Sequence, residues 1–209
     1  ATLARLIDPA CALTPGELLV RGSDGLISPG LYTWWIDEAG ASDLSGGLGH
    51  RIRPGLLYAG KAGGHRLEAN PSTATLWGRV VGNHLRGNVR SSTFRQSLAA
   101  ILDAAGLPAS EEQLTSWMLA QLCVVAVPVA SEHVARLEDE LVGRAQPPLN
   151  LMGLPRDAAR SALSRLRGLL RRPSGEPAGA VDDDGREPEE AADGMENLAR
   201  SFERRLRSD

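Results

Sequence analysis

Two short apolar stretches, GLYTWW at residues 30–35 and LLYAGKAG at residues 56–63, decide how this chain folds. Both are rich in the aromatic and aliphatic residues that favour β-strands. Each also holds one of the two tyrosines of the chain, Tyr32 and Tyr58, close to a glycine. The local pattern therefore predicts two strands of a hairpin. It leaves open whether the tyrosines fill a core or take part in chemistry.

The rest of the chain carries more helix signals than strand signals. The polar, glycine-rich stretch 37–55 predicts a loop, and 61–71 predicts another. Residues 123–129, CVVAVPV, predict a buried strand. Apolar spacing and capping residues predict helices that begin at or near Thr14, Ser72, Ser92, Ser110, Ser131 and Asp157. We therefore expect an α+β fold, in which helices flank a small mixed three-stranded sheet.

Composition divides the chain into four parts. Residues 1–27 form an N-terminal extension, and residues 28–172 form the main domain. Residues 173–193 are rich in Pro, Gly, Asp and Glu, which predicts a disordered acidic linker. Residues 194–209 are predicted to form an amphipathic helix, because apolar residues recur there at helical spacing: Met195, Leu198, Phe202 and Leu206. That helix either docks on the domain or on a partner, or it frays.

The composition argues against several classes of protein. The chain of 209 residues has no apolar run of transmembrane length and no signal-peptide pattern at its start, so we expect a cytoplasmic protein. Its two cysteines, Cys11 and Cys123, are far apart, which argues against a disulfide scaffold or a four-thiolate zinc site. The charge is uneven: residues 1–172 hold 18 basic and 15 acidic residues, whereas residues 173–209 hold 5 and 11.

The most basic stretch, residues 51–95, has eight basic residues and one acidic residue, Glu68. Such a stretch is either a surface for a polyanion or a solvated face. Seven of the eight basic residues are arginines, whose planar guanidinium group suits phosphate.

One carboxylate lies on the apolar side of a predicted helix, that of residues 131–146. At about 100° per residue, Glu138 falls about 40° from Val134 and about 20° from Ala145. A buried carboxylate requires a partner, because isolated charges are costly to remove from water. Glu138 therefore either pairs with a buried arginine or binds a divalent metal on the floor of a cleft.

The helix predicted over residues 72–85 supplies a companion to this carboxylate. Arg79 is the one charged residue in that range, and it lies beside the apolar side of the helix. An arginine in this position either extends its guanidinium group to solvent or clamps an anion.

Together these residues resemble the GIY-YIG nuclease superfamily over residues 28–152. The two signatures of that family match Gly30-Leu31-Tyr32 and Tyr58-Ala59-Gly60. Arg79, followed by His84, matches the arginine-bearing helix. The family's metal-binding glutamate pattern matches Leu137-Glu138-Asp139-Glu140-Leu141-Val142, and its asparagine matches Asn150, twelve residues after Glu138. The segment SSTFRQSLAAIL, residues 91–102, is also similar to bacterial members.

The sequence departs from the family pattern in two places. The interval from Tyr32 to Tyr58 is 26 residues, longer than is usual, which places an insertion between the two strands. His84 follows Arg79 after five residues rather than four. Either Gly82 distorts the helix, or Asn83, at the four-residue step, stands in place of the histidine.

The resemblance implies metal-assisted hydrolysis of DNA phosphodiester bonds. Glu138 would hold Mg²⁺ or Mn²⁺, Arg79 would hold the scissile phosphate, and Asn150 would bind a phosphate oxygen or tie its loop to the site. One of the two tyrosines would act as general base, which for a group of pKa near 10 requires a nearby cation such as Lys61 or Arg79. The residues expected to contact the DNA backbone are Arg51, Arg53, Lys61, Arg86, Arg90 and Arg95.

We therefore expect a metal-dependent endonuclease that acts in bacterial restriction or in DNA repair and processing. The alternative is a catalytically inactive GIY-YIG-like module that binds nucleic acid. A third hypothesis is a protein-interaction factor whose acidic tail covers the basic cleft as a mimic of DNA.

Overall fold

A three-stranded sheet forms the centre of the protein. Its middle strand is β1 (Gly30–Ile36), which lies between β2 (Gly55–Ala62) and β3 (Leu122–Pro128). Both outer strands run antiparallel to β1. The α+β class and the three predicted strands are confirmed. The sheet is predicted to be mixed, whereas all of its strand pairs are antiparallel.

The computed structural model describes residues 2–64 and 74–171. The linker predicted over residues 173–193 and the helix predicted over residues 194–209 lie outside this part of the chain. No helix within the described residues is long and apolar enough to cross a membrane.

The helices that surround the sheet are α1 (Thr2–Leu6), α2 (Pro15–Arg21), α3 (Glu38–Leu48), α4 (Thr93–Ala104), α5 (Glu111–Gln121), α6 (Ser131–Ala145) and α7 (Ala158–Arg171), with a 3₁₀-helix at Pro9–Cys11 and a π-helix at Gly78–Leu85. The predicted capping residues that accept a backbone N–H at their helix start are Thr14, Ser92, Ser110 and Asp157. The prediction for Ser131 is wrong. It is the first residue of α6, and the capping position belongs to Ala130, which has no side-chain acceptor.

The segment between β1 and β2 differs most from its prediction, because most of it forms α3 instead of a loop. Asp37 caps the start of α3, and Leu44 is fully buried in the core. Gly47 lies directly against α4: a Cβ atom at this position would lie 1.9 Å from the carbonyl oxygen of Ile101. The glycines that suggest a loop in the sequence thus include one that permits close helix packing.

The two faces of the sheet pack into two apolar clusters. Tyr32 and Trp34 of β1 point into the larger cluster, which includes residues of α3, α4 and α5. Leu31 points to the opposite face, where it packs with residues of α1 and α6. The N-terminal extension contributes to both clusters through Leu18 and Leu6, which are buried. It is therefore an integral part of the fold.

Candidate active site

A cleft of about 850 Å³ opens beside β2, an edge strand of the sheet. Tyr58 and Lys61 of β2 line it, together with Glu138 of α6. The helices α4 and α7 contribute Thr93 and Arg167. Polar side chains from four elements thus meet at one opening.

The two tyrosines lie on neighbouring strands, and their ring centroids are 6.5 Å apart. Tyr32 is buried and pairs across the sheet with Gly60. Tyr58 is half-buried and lines the cleft. A Cβ atom at Gly60 would lie 2.4 Å from the Tyr32 hydroxyl oxygen, so only glycine leaves room for the Tyr32 ring. Gly60 of the second signature therefore leaves the space that the ring of Tyr32, from the first signature, occupies.

The two tyrosines differ in their electrostatic surroundings. Burial raises the pKa of Tyr32 well above its usual value. Burial also raises the pKa of Tyr58, and the negative charge of Glu138 adds to this effect. A hydrogen bond from Thr93 and the positive charge of Arg79 act in the opposite direction on Tyr58. The pKa of Tyr58 is raised overall, and Arg79 opposes the rise at both tyrosines, whereas Thr93 opposes it at Tyr58.

The helix that carries Arg79 and His84 is a π-helix. Its hydrogen bonds join residues five apart, as between the Arg86 N–H and the Val81 carbonyl at 2.9 Å. The wider turn accommodates the five-residue interval that a regular α-helix does not. His84 consequently faces the tyrosines, whereas Asn83 donates a hydrogen bond to the carbonyl of Ser91.

His84 is enclosed between two hydroxyl groups. Its Nε2 atom lies 2.7 Å from the Tyr32 hydroxyl, and its Nδ1 atom lies 2.7 Å from the Ser92 hydroxyl. Burial lowers the pKa of His84 to about 3, with further contributions from the positive charges of Arg79 and Arg95. The imidazole is therefore neutral near pH 7.

Arg79 is half-buried next to this group of rings. Its positive charge influences the pKa of Tyr32, Tyr58 and His84. Its Nε atom is buried and has no hydrogen-bond partner among the residues that the structure describes. A buried guanidinium nitrogen in this state is well suited to an anionic ligand.

Glu138 makes an ion pair with Lys61 at the cleft. Glu138 Oε2 lies 2.8 Å from Lys61 Nζ, and the side chains are 20% and 24% exposed. Of the two alternatives for Glu138, the pairing with a buried arginine is wrong, because its ion-pair partner is a lysine. Residues 2–64 and 74–171 contain no cluster of three or more His, Cys, Asp or Glu side chains suited to a metal. A metal here would have Glu138 as its main protein ligand, with water and substrate oxygens as the others, an arrangement that fits Mg²⁺.

Asn150 extends the hydrogen bonding at the edge of β2. Its Oδ1 accepts from the Ala59 N–H at 2.9 Å, and its Nδ2 donates to the Ala59 carbonyl at 2.9 Å. The Leu149 N–H donates to the Leu57 carbonyl at 3.1 Å. Asn150 therefore ties its loop to the second signature, which is one of the two roles expected for it.

The predicted DNA-binding residues separate into two groups. The exposed ones are Arg51, Arg53, Arg86 and Arg90, and Lys61 is at the cleft. Arg95, by contrast, is fully buried. Its guanidinium group donates to the carbonyls of His84 and Leu85 and to the Glu111 carboxylate. The prediction that Arg95 contacts DNA is wrong, because its side chain has no exposed surface.

The structure places further residues at or behind the cleft that sequence reasoning did not assign to a site, and four of them are polar residues with a contact or position relevant here. Ser92 was identified only as a helix cap, although its hydroxyl also contacts His84. Thr93 and Arg167 line the cleft, and Arg160 donates to the carbonyl of Asn150 at 3.2 Å. The two arginines are in an arginine-rich helix where the sequence offers no signal to distinguish them.

A family model described as the GIY-YIG catalytic domain matches residues 30–169, more than half of the chain. The matched range includes both tyrosine signatures, the π-helix, Glu138 and Asn150. No curated protein and no solved structure gives a significant match. The family match identifies an enzyme of the endonuclease type. The chain therefore belongs to the GIY-YIG catalytic domain family.

Proposed function

We propose that this protein is a metal-dependent endonuclease that hydrolyses DNA phosphodiester bonds. The observation that carries this proposal is the convergence of Tyr58, Lys61 and Glu138 on one cleft. Tyr32 and His84 are hydrogen-bonded to each other behind it. This arrangement brings a proton acceptor, a cation and a carboxylate into one opening, and these groups can activate water, bind phosphate and hold a metal during phosphodiester hydrolysis.

Tyr58 is the candidate general base, because it lines the cleft while Tyr32 is buried. Its oxygen would take a proton from the attacking water while the water oxygen bonds to phosphorus and the bond to the leaving oxygen breaks. The pKa of Tyr58 is raised by burial, whereas the Thr93 hydrogen bond and the positive charges of Arg79 and Arg167 lower it. These three neighbours oppose the rise caused by burial without cancelling it, and in this direction they act toward the phenolate that a base requires.

Glu138 is the residue that would hold the divalent metal, Mg²⁺ or Mn²⁺. Such a metal stabilises negative charge on the phosphate and on the leaving oxygen. In this structure Lys61 Nζ contacts Oε2 of the Glu138 carboxylate. Lys61 would exchange this contact for a phosphate oxygen of the substrate, which would leave the Glu138 carboxylate available to hold the metal.

The exposed arginines would bind the DNA backbone, which supplies affinity without reading sequence. One face of α3 is packed into the core, and the arginines of the insertion lie outside this helix: Arg51 and Arg53 are exposed in the short segment 49–54. The biological setting that we favour is bacterial restriction or DNA repair and processing, the roles that the family resemblance implies.

The test is cleavage of supercoiled plasmid and of branched duplexes by the purified protein. We expect nicked or linear product with Mg²⁺ or Mn²⁺ and none with a chelator. Retained DNA binding with no cleavage of any substrate at any divalent metal would reject the proposal and favour a binding module.

Arg167 provides a prediction for substrate contact. Arg167→Gln should lower kcat/KM for cleavage about tenfold, the effect of losing one charge-assisted hydrogen bond to phosphate. Arg165→Gln is the matched control, because Arg165 is exposed on the same helix and does not line the cleft. Steady-state kinetics on a labelled duplex would measure both, and equal effects of the two substitutions would contradict a specific role for Arg167.

A further inference from the structure

We propose that Ser92 is a positioning residue that fixes the tautomer of His84, so that the imidazole donates its proton to the hydroxyl oxygen of Tyr32. The tautomer itself follows from hydrogen-bond geometry. Its consequence for catalysis rests on the proposed function.

The geometry gives each ring nitrogen of His84 one hydrogen-bond partner. Ser92 and His84 are 1% and 2% exposed, so water does not substitute for either contact. Both contacts are 2.7 Å long, one from Nδ1 to the Ser92 hydroxyl and one from Nε2 to the Tyr32 hydroxyl. A neutral imidazole has one N–H donor and one acceptor nitrogen, so only one of the two can be the donor.

The Ser92 hydroxyl decides which nitrogen that is. Its oxygen already accepts a hydrogen bond from the backbone N–H of Arg95 at 3.2 Å. Its own proton requires an acceptor, and His84 Nδ1 is the acceptor that the described residues provide. With a proton on Nδ1, the buried Ser92 proton would be left without an acceptor, which is unfavourable. The geometry therefore assigns the proton to Nε2.

This assignment sets the direction of the hydrogen bonds that lead to the cleft. When Nε2–H donates to Tyr32, the hydroxyl proton of Tyr32 remains available for donation toward Tyr58, whose ring centroid lies 6.5 Å from that of Tyr32 and whose interaction raises the pKa of Tyr32. The chain of donors then runs from Ser92 through His84 and Tyr32 to the oxygen of Tyr58. A donor at that oxygen stabilises the phenolate. In the opposite tautomer, Tyr32 would donate to His84 and Tyr58 would lose this donor.

Three variants separate the tautomer from the helix cap that Ser92 also provides. Ser92→Gly removes the hydroxyl and keeps a residue type that is tolerated at a helix start. Ser92→Thr keeps the hydroxyl. Ser110→Ala removes the corresponding cap of the neighbouring helix α5, remote from His84 in the sequence, and controls for the loss of a cap.

The experiment is ¹⁵N NMR of the histidine rings together with cleavage kinetics. The chain has four histidines, so the His84 signals are identified by their loss in His84→Gln. We expect a protonated Nε2 in the wild type and in Ser92→Thr, and a population with protonated Nδ1 in Ser92→Gly. We also expect kcat to fall about tenfold in Ser92→Gly with KM unchanged, whereas Ser92→Thr and Ser110→Ala stay close to the wild type.

A wild-type His84 protonated on Nδ1 would overturn the assignment. An unchanged tautomer in Ser92→Gly would overturn the role of Ser92. The NMR result needs no activity, so it decides the tautomer even if the wild type cleaves no DNA, an outcome that would reject the proposed function separately. It also needs only the wild-type protein to test the assignment, should Ser92→Gly fail to fold.

Discussion

Replacing Glu138 by glutamine is expected to lower the rate of metal-dependent DNA cleavage at least about 100-fold. Glu138→Gln keeps the size of the side chain and removes the charge that would hold the metal. DNA affinity should be unchanged or tighter, because a negative charge is removed from a cleft that receives a polyanion. Single-turnover cleavage and equilibrium binding to the same labelled duplex measure the two effects separately.

Glu140→Gln is the matched control for this prediction. Glu140 is two residues away on α6, and its carboxylate pairs with Arg136 at 3.6 Å and with Arg144 at 2.8 Å, away from the cleft. Since exposed ion pairs contribute little, we expect cleavage within about twofold of the wild type. Full activity of Glu138→Gln would show that Glu138 does not hold the metal. Equal loss in both variants would point to a general effect of charge on α6.

Much of the fold could be predicted because its signals are local. A capping residue acts on a backbone N–H three residues away, and the residues at Ser92, Ser110 and Asp157 do so as predicted. The error at α3 has a different origin. The close contact of Gly47 with α4 depends on a residue more than fifty positions away, and glycine in sequence reads as a loop former.

The site shows the same division between local and long-range information. Helical periodicity places Glu138 on the inner side of α6, and the structure puts it at the cleft. The position of His84 could not be derived in this way, because a π-helix departs from the period of a regular α-helix. Its C-terminal end is also contacted by Arg95, which donates to the carbonyls of His84 and Leu85. A count of charges cannot distinguish this arginine from the exposed Arg90.

Arg95→Met is therefore expected to destabilise the protein by about 3–5 kcal/mol, although the sequence presents Arg95 as one member of a basic surface. The substitution keeps a long apolar stem and removes every donor of the guanidinium group. The carbonyls of His84 and Leu85 would each lose a hydrogen bond in a buried environment, and the Glu111 carbonyl would lose one in a partly buried environment. Urea unfolding followed by fluorescence measures the loss, and the melting temperature should fall by about 10 °C.

Arg90→Met is the control for this stability prediction, because Arg90 is exposed and lies five residues earlier. We expect it to change stability by no more than about 0.5 kcal/mol, as is typical of surface substitutions. The Glu111 carboxylate is 49% exposed and can be solvated when its partner is removed, so the predicted loss comes mainly from the buried carbonyls. If Arg95→Met were as stable as Arg90→Met, these carbonyl contacts would contribute nothing to the fold. The π-helix that presents His84 would then be maintained by its other contacts, which include the hydrogen bonds of Asn83 with Ser91 and of His84 with Ser92.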